Sequence, residues 1–167
     1  GTSALVVQGS AGTTEDHIRY GWNYALLLAE GPSERALVPS PVLNAMRSGR
    51  IVRFEEITRC PPEVQDALIS ILSEKSLGLP EWGADRVEVA RPGFNIIATA
   101  NLRDRGVHEM SSALKRRFNF ETVHPIDDPA FEKELVLRQL AERLEPNGVE
   151  VRGAEDVADL LVRTFQD

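Results

Sequence analysis

The sequence is poor in the residues and patterns that mark disulfide-rich, zinc-binding and membrane proteins. It has one cysteine, Cys60, in 167 residues, which excludes an intramolecular disulfide and fits a reducing compartment. The three histidines, His17, His108 and His124, are scattered and lack the spacing of a structural zinc site. No apolar run reaches the ~18 residues of a membrane span, and no basic-then-apolar start indicates a signal peptide. We therefore expect a cytoplasmic protein.

Positive charge is scarce overall but concentrated in one segment. The formal net charge is −7, with 19 Lys and Arg against 26 Asp and Glu, which argues against a general nucleic-acid-binding surface. Five cations nevertheless fall within fifteen residues: Arg103, Arg105, Lys115, Arg116 and Arg117. Such a cluster is either a solvated face or a local site for an anion.

The sequence does contain an apolar strand pattern that ends in two carboxylates. Residues 51–54 are a short apolar run, and Glu55 and Glu56 come directly after it. We interpret this run as lacking apolar–polar alternation, so we expect a strand that is buried on both faces of a parallel α/β sheet. The residues after a parallel strand reach the crevice at its carboxyl end, where two acids suit Mg²⁺ and a water polarised against a phosphoryl group. The alternative is that Glu55 and Glu56 simply begin a solvated loop.

Strand and helix patterns alternate along the rest of the chain. Strands are predicted at residues 4–8, 94–101 and 120–123, and helices at residues 41–47, from Pro61 onward, at 111–118, from Asp127–Asp128 to about Leu144, and at 155–165. A first hairpin is predicted with strands at 23–29 and 36–38, and a second around residues 81–85. The composition shifts at residues 125–128, which indicates a boundary between an α/β body and a helical second domain.

Three motifs stand in a fixed order, and together they resemble those of the AAA+ ATPases, within them the MoxR family. Glu55-Glu56 matches the Walker B element, which is usually Asp-Glu. Thr99-Ala100-Asn101 matches sensor 1, and residues 112–118 match the helix that carries the arginine finger. The two predicted hairpins look like the helix-2 insert and the pre-sensor-1 hairpin of that clade.

The resemblance implies a fold and a domain division. The fold is an AAA+ P-loop NTPase-type parallel sheet with helices on both faces and hairpin inserts, missing its first strand, plus the start of a helical lid. Residues 1–125 form the partial AAA+ α/β core, and residues 126–167 the partial lid.

The resemblance also implies roles for five residues. Glu55 takes the metal-side position, although it is one methylene longer than the usual Asp. Glu56 orients and polarises the attacking water, and Asn101 fixes that water and the γ-phosphate unless it is only a turn residue. Arg116 and Arg117 face a neighbouring subunit, where one acts as an arginine finger in trans, with Arg116 preferred, and the other holds the helix end.

On the same resemblance we expect ATP and Mg²⁺ as cofactors and a homo-oligomer, a ring of six subunits. Hydrolysis would be coupled to the remodelling or maturation of a client protein. A partner with a von Willebrand factor A domain is a further expectation, and no membrane or nucleic-acid partner is expected.

The phosphate-binding loop G-x-x-x-x-G-K-[ST] does not occur in this sequence. Residues 9–14 contain glycines but no lysine, so we expect a fragment that begins after the Walker A helix and stops before sensor 2 of the lid. Two other hypotheses remain open. The chain could be a nucleotide-inert binding or scaffold module of the same fold, or Glu55, Glu56 and Asp66 could form a metal-dependent hydrolase site.

Overall fold

The computed structural model describes residues 5–83, 85–101, 108–144 and 153–166. The strands are β1 (Val6–Gln8), β2 (Tyr20–Trp22), β3 (Leu37–Pro39), β4 (Ile51–Glu55), β5 (Ser76–Gly78), β6 (Val87–Val89) and β7 (Asn95–Ala98). The helices are α1 (Tyr24–Glu30), α2 (Pro41–Ser48), α3 (Pro62–Glu74), α4 (Ser112–Lys115), α5 (Pro129–Leu144) and α6 (Ala154–Gln166). The chain divides into two compact units, Gly1–Asn119 and Phe120–Asp167, which are described separately.

A parallel sheet in the order β1-β4-β7 forms the centre of the first unit. The register pairs Val7 with Phe54, and Phe54 with Ala98. All three strands run the same way, so the residues after them emerge at one edge of the sheet. The expected fold class, an α/β protein with a parallel sheet flanked by helices, is confirmed.

Strand β4 is buried on one face only, so the prediction that both faces are buried was wrong. Val52 and Phe54 are fully buried in the core that also holds side chains of α2 and α3. Ile51 is 42% exposed, Arg53 is also exposed, and Ile97 on the adjacent strand is 55% exposed. The described residues cover one face of the sheet, and Arg53 at an alternate position is the sequence signal of that arrangement.

Two helices of the first unit form where the sequence predicts them, one with capped ends and one with a buried apolar stripe. Ser40 accepts a hydrogen bond from Leu43 N at the start of α2, and Gly49 ends it in the left-handed conformation at φ 63°. Helix α3 begins at consecutive prolines and buries one apolar stripe, which includes Leu68 and Ile71.

The first hairpin is formed by different segments from those predicted. Residues 24–30 form α1 and not a strand, since Leu and Ala favour helix and Asn23 caps it by accepting from Leu26 N. The antiparallel pair is β2 with β3, in which Tyr20 lies opposite Pro39. The second hairpin, β5 with β6, is confirmed.

The second unit contains the two helices that the sequence predicts. Asp128 caps α5 by accepting from the backbone N–H groups of Ala130 and Phe131. Lys133 of α5 pairs with Asp159 of α6 at 2.9 Å. Residues 120–123 form no strand, contrary to the prediction, because a strand requires a paired neighbour and these residues have none within the described ranges.

Candidate functional site

The carboxyl ends of β4 and β7 bring Glu55 next to Thr99. The Thr99 hydroxyl donates a hydrogen bond to Glu55 Oε2 at 2.7 Å. Arg53, two residues earlier on β4, pairs through Nε with Glu55 Oε1 at 3.1 Å. Both carboxylate oxygens of Glu55 are therefore oriented by fixed neighbours, and each retains lone pairs for a further ligand.

Glu56 adopts a backbone conformation that a residue with a side chain rarely takes. Its φ is 53° and its ψ is 48°, in the left-handed region. This conformation costs on the order of 1–3 kcal/mol and, where it occurs, is a reason to look for function. The Glu56 N–H donates to the Thr99 hydroxyl at 3.0 Å, and its carboxylate pairs with Arg59 Nε at 3.2 Å. The left-handed turn places two consecutive acids at the same sheet edge.

Asn101 lies on the segment after β7, two residues beyond Thr99, and it is exposed. That segment is fixed against the acid pair, because Ile57 N donates to the Thr99 carbonyl at 3.0 Å. The structure thus brings the segments of Glu55, Glu56 and Asn101 to one edge of the sheet, as expected for the ends of adjacent parallel strands.

Arg116 and Arg117 lie at the end of α4 and not beside the acid pair. Arg117 donates through its guanidinium to Ser73 Oγ and to the carbonyl of Ala113. Ser73 is eleven residues beyond the start of α3, which places it about 16 Å along the helix from the Pro62 end. The Arg117 guanidinium therefore lies beside the later part of α3, whereas Glu56 precedes the helix at its Pro62 end.

The two arginines differ in their contacts. Both side chains are exposed, but among the residues that the structure describes only the side chain of Arg117 is hydrogen-bonded. Arg103 and Arg105, the other arginines of the cationic segment, lie outside the described residues.

The donor set at the sheet edge fits Mg²⁺ held through its water shell. Carboxylate oxygens are the ligands that Mg²⁺ prefers, and it usually keeps several waters and uses one or two carboxylates. Glu55 supplies an oriented carboxylate, and the carboxylate of Glu56 is adjacent and 40% exposed.

Three backbone N–H groups of the glycine-containing loop after β1 are hydrogen-bonded within the protein. Ser10 N donates to Thr13 Oγ1 at 2.9 Å, Thr13 N donates to the Ser10 carbonyl at 3.1 Å, and Gly9 N donates to the Glu55 carbonyl at 2.7 Å. These backbone N–H groups are already used, whereas a phosphate cradle needs them directed at the ligand. The loop instead contacts the acid pair through the hydrogen bond from Gly9 to the Glu55 carbonyl.

Asp66 does not join Glu55 and Glu56 in a metal-binding group. It lies on α3, where it accepts a hydrogen bond from Ser111 at 3.4 Å. Within the described ranges no three His, Cys, Asp or Glu side chains are placed to hold a metal ion. The hypothesis of a three-carboxylate hydrolase site has no support in this geometry.

Sequence reasoning missed four contributors to the site: Gly9, Arg53, Arg59 and the hydroxyl of Thr99. A signal existed for two of them. Gly9 comes directly after a strand, where a glycine often marks close backbone approach. Thr99 ends the strand adjacent to the one that carries Glu55. The pairings of Arg53 and Arg59 depend on side-chain geometry that the sequence pattern does not specify.

None of the helices in the described ranges combines the length and apolar character that crossing a membrane would require.

Comparison with known proteins relates this chain to a family. The model for the AAA domain of the dynein-related subfamily matches residues 1–118. The uncharacterized protein YehL of Escherichia coli strain K12 is 57% identical over 168 residues, across 100% of this chain and 46% of YehL. An uncharacterized protein of Staphylococcus aureus strain USA300 is 38% identical over 100 residues, 59% of this chain and 37% of that protein.

A solved structure agrees with the fold. The crystal structure of a candidate ATPase from Cytophaga hutchinsonii has a TM-score of 0.58 and 19% identity, and covers 80% of this chain and 37% of that one. At this identity the likeness shows the fold alone. The chain spans less than half the length of these two curated relatives, YehL and the Staphylococcus aureus protein.

Proposed function

Because this chain belongs to the dynein-related subfamily of AAA domains, we propose that it supplies the metal-side and water-directing residues of the ATP hydrolysis site in a MoxR-like AAA+ ATPase. One observation carries the proposal. Glu55 and Glu56 are consecutive acids at the carboxyl end of a parallel strand, and the Thr99 hydroxyl of the adjacent strand contacts both residues.

The two acids suit different tasks. The Glu55 carboxylate, held by Arg53 and Thr99, is the group suited to Mg²⁺. The Glu56 carboxylate, on a strained left-handed residue, is suited to orient and polarise a water molecule. When bound, ATP with Mg²⁺ would supply the phosphoanhydride bond for hydrolysis by that water. Asn101, whose amide can donate and accept, is proposed to fix the same water from the neighbouring strand.

Arg116 is the proposed arginine finger. Arg117 is engaged within its own chain by Ser73 and Ala113, which suits a cation that holds the helix end. Arg116 is exposed and is the next residue along the chain. A guanidinium in that position acts on the site of a neighbouring subunit, where it stabilises the charge that develops on the transferred phosphoryl group.

The whole protein is proposed to assemble into a homo-oligomeric ring of six subunits and to remodel or mature a client protein. A protein with a von Willebrand factor A domain is a proposed partner, on the resemblance to the MoxR family. The alternative function is a nucleotide-inert scaffold of the same fold. That function would not explain the arrangement of Glu55 and Glu56.

The test is the replacement Glu56→Gln in the complete protein, which removes the charge and keeps the side-chain shape. We expect ATP turnover to fall by at least 100-fold while binding of labelled ATP is retained. Glu63→Gln, on the exposed start of α3, is the matched control and should turn over ATP normally. Undiminished turnover in Glu56→Gln would remove the assignment of Glu56, and failure of the unmodified protein to bind ATP would favour the scaffold.

A further inference from the structure

Thr99 is the residue that connects the acid pair to the neighbouring strand. Its backbone N–H donates to the Phe54 carbonyl at 2.8 Å, and its carbonyl accepts from Ile57 N at 3.0 Å. Its hydroxyl accepts from Glu56 N at 3.0 Å and donates to Glu55 Oε2 at 2.7 Å. Thr99 therefore donates two hydrogen bonds and accepts two, and all four partners lie between Phe54 and Ile57.

The direction of the hydroxyl proton is determined by these partners. A backbone N–H can only donate, so toward Glu56 the hydroxyl must act as an acceptor. Its single proton is then available for Glu55, whose Oε2 accepts it. The same hydroxyl thus orients the carboxylate of Glu55 and holds the N–H of the strained Glu56.

We infer that the Thr99 hydroxyl is a positioning group that sets the metal-side carboxylate and the water-directing residue relative to each other. The inference rests on the proposed function, since it assigns a role within that same site. Thr99 itself is not assigned contact with the nucleotide. It acts through Glu55 and Glu56, in the way that groups behind a metal ligand orient it and tune its affinity.

The geometry separates this role from a general contribution to stability. The side chain of Thr99 is exposed, and the nearest buried residue of β7 is Ile96, three positions earlier. Both backbone hydrogen bonds of Thr99 are available to any residue at this position except proline. Valine has nearly the same shape as threonine, so Thr99→Val removes the two hydroxyl bonds and little else.

The experiment compares three variants of the complete protein: Thr99→Val, Thr99→Ser and Thr122→Val. Serine keeps the hydroxyl, and Thr122 is an exposed threonine of the second unit that serves as the matched control. The first readout is Mn²⁺ binding in the presence of ADP, measured by electron paramagnetic resonance. The second is kcat and KM for ATP as the Mg²⁺ concentration is varied.

For Thr99→Val we expect metal affinity to weaken by about 10- to 100-fold, the usual range for groups behind a metal ligand. We expect kcat to fall by a similar factor at low Mg²⁺, with KM for ATP nearly unchanged. Thr99→Ser should restore most of both, and Thr122→Val should match the unmodified protein. Thermal unfolding of each variant reports whether the fold is intact.

Two outcomes would overturn the inference. In one, Thr99→Val keeps normal Mn²⁺ binding and normal kcat. In the other, Thr99→Ser loses as much metal affinity and kcat as Thr99→Val, and both variants melt at a lower temperature, which is what a purely structural residue would give. Failure of the proposed function itself looks different, because then Glu56→Gln would also leave turnover unchanged.

Discussion

Gly9 lies so close to the backbone of Glu56 that a side chain at position 9 cannot be accommodated. A Cβ built on Gly9 would lie 2.3 Å from the Glu56 carbonyl oxygen and 2.9 Å from that of Glu55. The backbone N–H of Gly9 donates to the Glu55 carbonyl at 2.7 Å. The end of β1 therefore supports the acid pair through backbone contact, which only glycine permits at this distance.

We predict that Gly9→Ala displaces the acid pair. The obstructing atoms are backbone carbonyls and not flexible side chains, so the segment of Glu55 and Glu56 must move. Overpacking of this kind costs about 1–3 kcal/mol of unfolding free energy. ATP turnover should fall even under conditions in which the variant remains folded. The control is Gly12→Ala, where the nearest atom to the new Cβ is the Ser10 hydroxyl at 3.9 Å. Denaturant unfolding and ATPase assays on both variants test this, and equal behaviour of the two would contradict it.

A second prediction concerns the left-handed backbone of Glu56. Glycine adopts this region without the steric cost that alanine meets, so Glu56→Gly should be about 1 kcal/mol more stable than Glu56→Ala. Lys75 has a nearly identical φ of 52° at the end of α3, away from the acid pair, and provides the control pair Lys75→Gly and Lys75→Ala. The same order of stability is expected there, with full ATP turnover. Chemical denaturation measures the differences, and alanine equal to glycine at position 56 would show that the residue is unstrained.

The elements that position the site follow from local sequence patterns. The strand before Glu55 and the strand before Asn101 are apolar runs with polar ends, and the adjacency of parallel strand ends brings their segments together. Helix α2 is predicted because Pro41 suits its start and Ser48-Gly49 its end, and in the structure Ser40 and Gly49 cap it. These features depend on neighbours in sequence, or on the general geometry of parallel sheets.

The features that the sequence pattern missed depend on contacts between distant residues. Residues 24–30 resemble a strand by their apolar content, and only the Asn23 cap and the Leu-Ala composition distinguish a helix. The exposure of Ile51 is set by which face of the sheet the described residues cover. The Thr99 hydroxyl bonds and the close approach of Gly9 join segments 43 or more residues apart, and no local rule specifies them.

The two arginines that follow α4 should have different effects when each is replaced by alanine. We predict that Arg116→Ala lowers ATP turnover by about 10³-fold, the lower end for an arginine finger, with unfolding unchanged. Arg117→Ala loses the hydrogen bonds to Ser73 and Ala113, so it should lower the unfolding free energy by about 1 kcal/mol. Its effect on turnover should be smaller than that of Arg116→Ala.

A mixing experiment tests whether Arg116 acts across subunits. Arg116→Ala and Glu56→Gln are each expected to be inactive alone. In mixed oligomers an intact Glu56 of one subunit can meet an intact Arg116 of its neighbour, so part of the turnover should return. Mixtures that stay inactive over the full range of ratios would show that Arg116 does not act in trans.

The last prediction concerns the hydrogen bond between Tyr20 of β2 and Glu81, which lies just beyond β5. The Tyr20 hydroxyl donates to Glu81 Oε2 at 2.6 Å. Burial, together with the carboxylate of Glu81, raises the pKa of Tyr20 to about 12. The hydrogen bond from Tyr20 lowers the pKa of Glu81 below its ordinary value. The pair joins the two hairpins of the first unit, because Tyr20 belongs to one and Glu81 to the other.

The sign of the pH dependence is set by the raised pKa of Tyr20. An unfolded tyrosine ionises near pH 10, so the stabilisation is complete below pH 10 and is lost as the pH rises toward 12. We expect the difference in tyrosinate absorbance at about 295 nm between the unmodified protein and Tyr20→Phe to have its midpoint near pH 12. In Glu81→Gln the midpoint should fall but stay above pH 10, since burial, the larger cause, remains. A midpoint near pH 10 in the unmodified protein would mean that Tyr20 is neither buried nor bonded to Glu81, and that the two hairpins are not joined at this point.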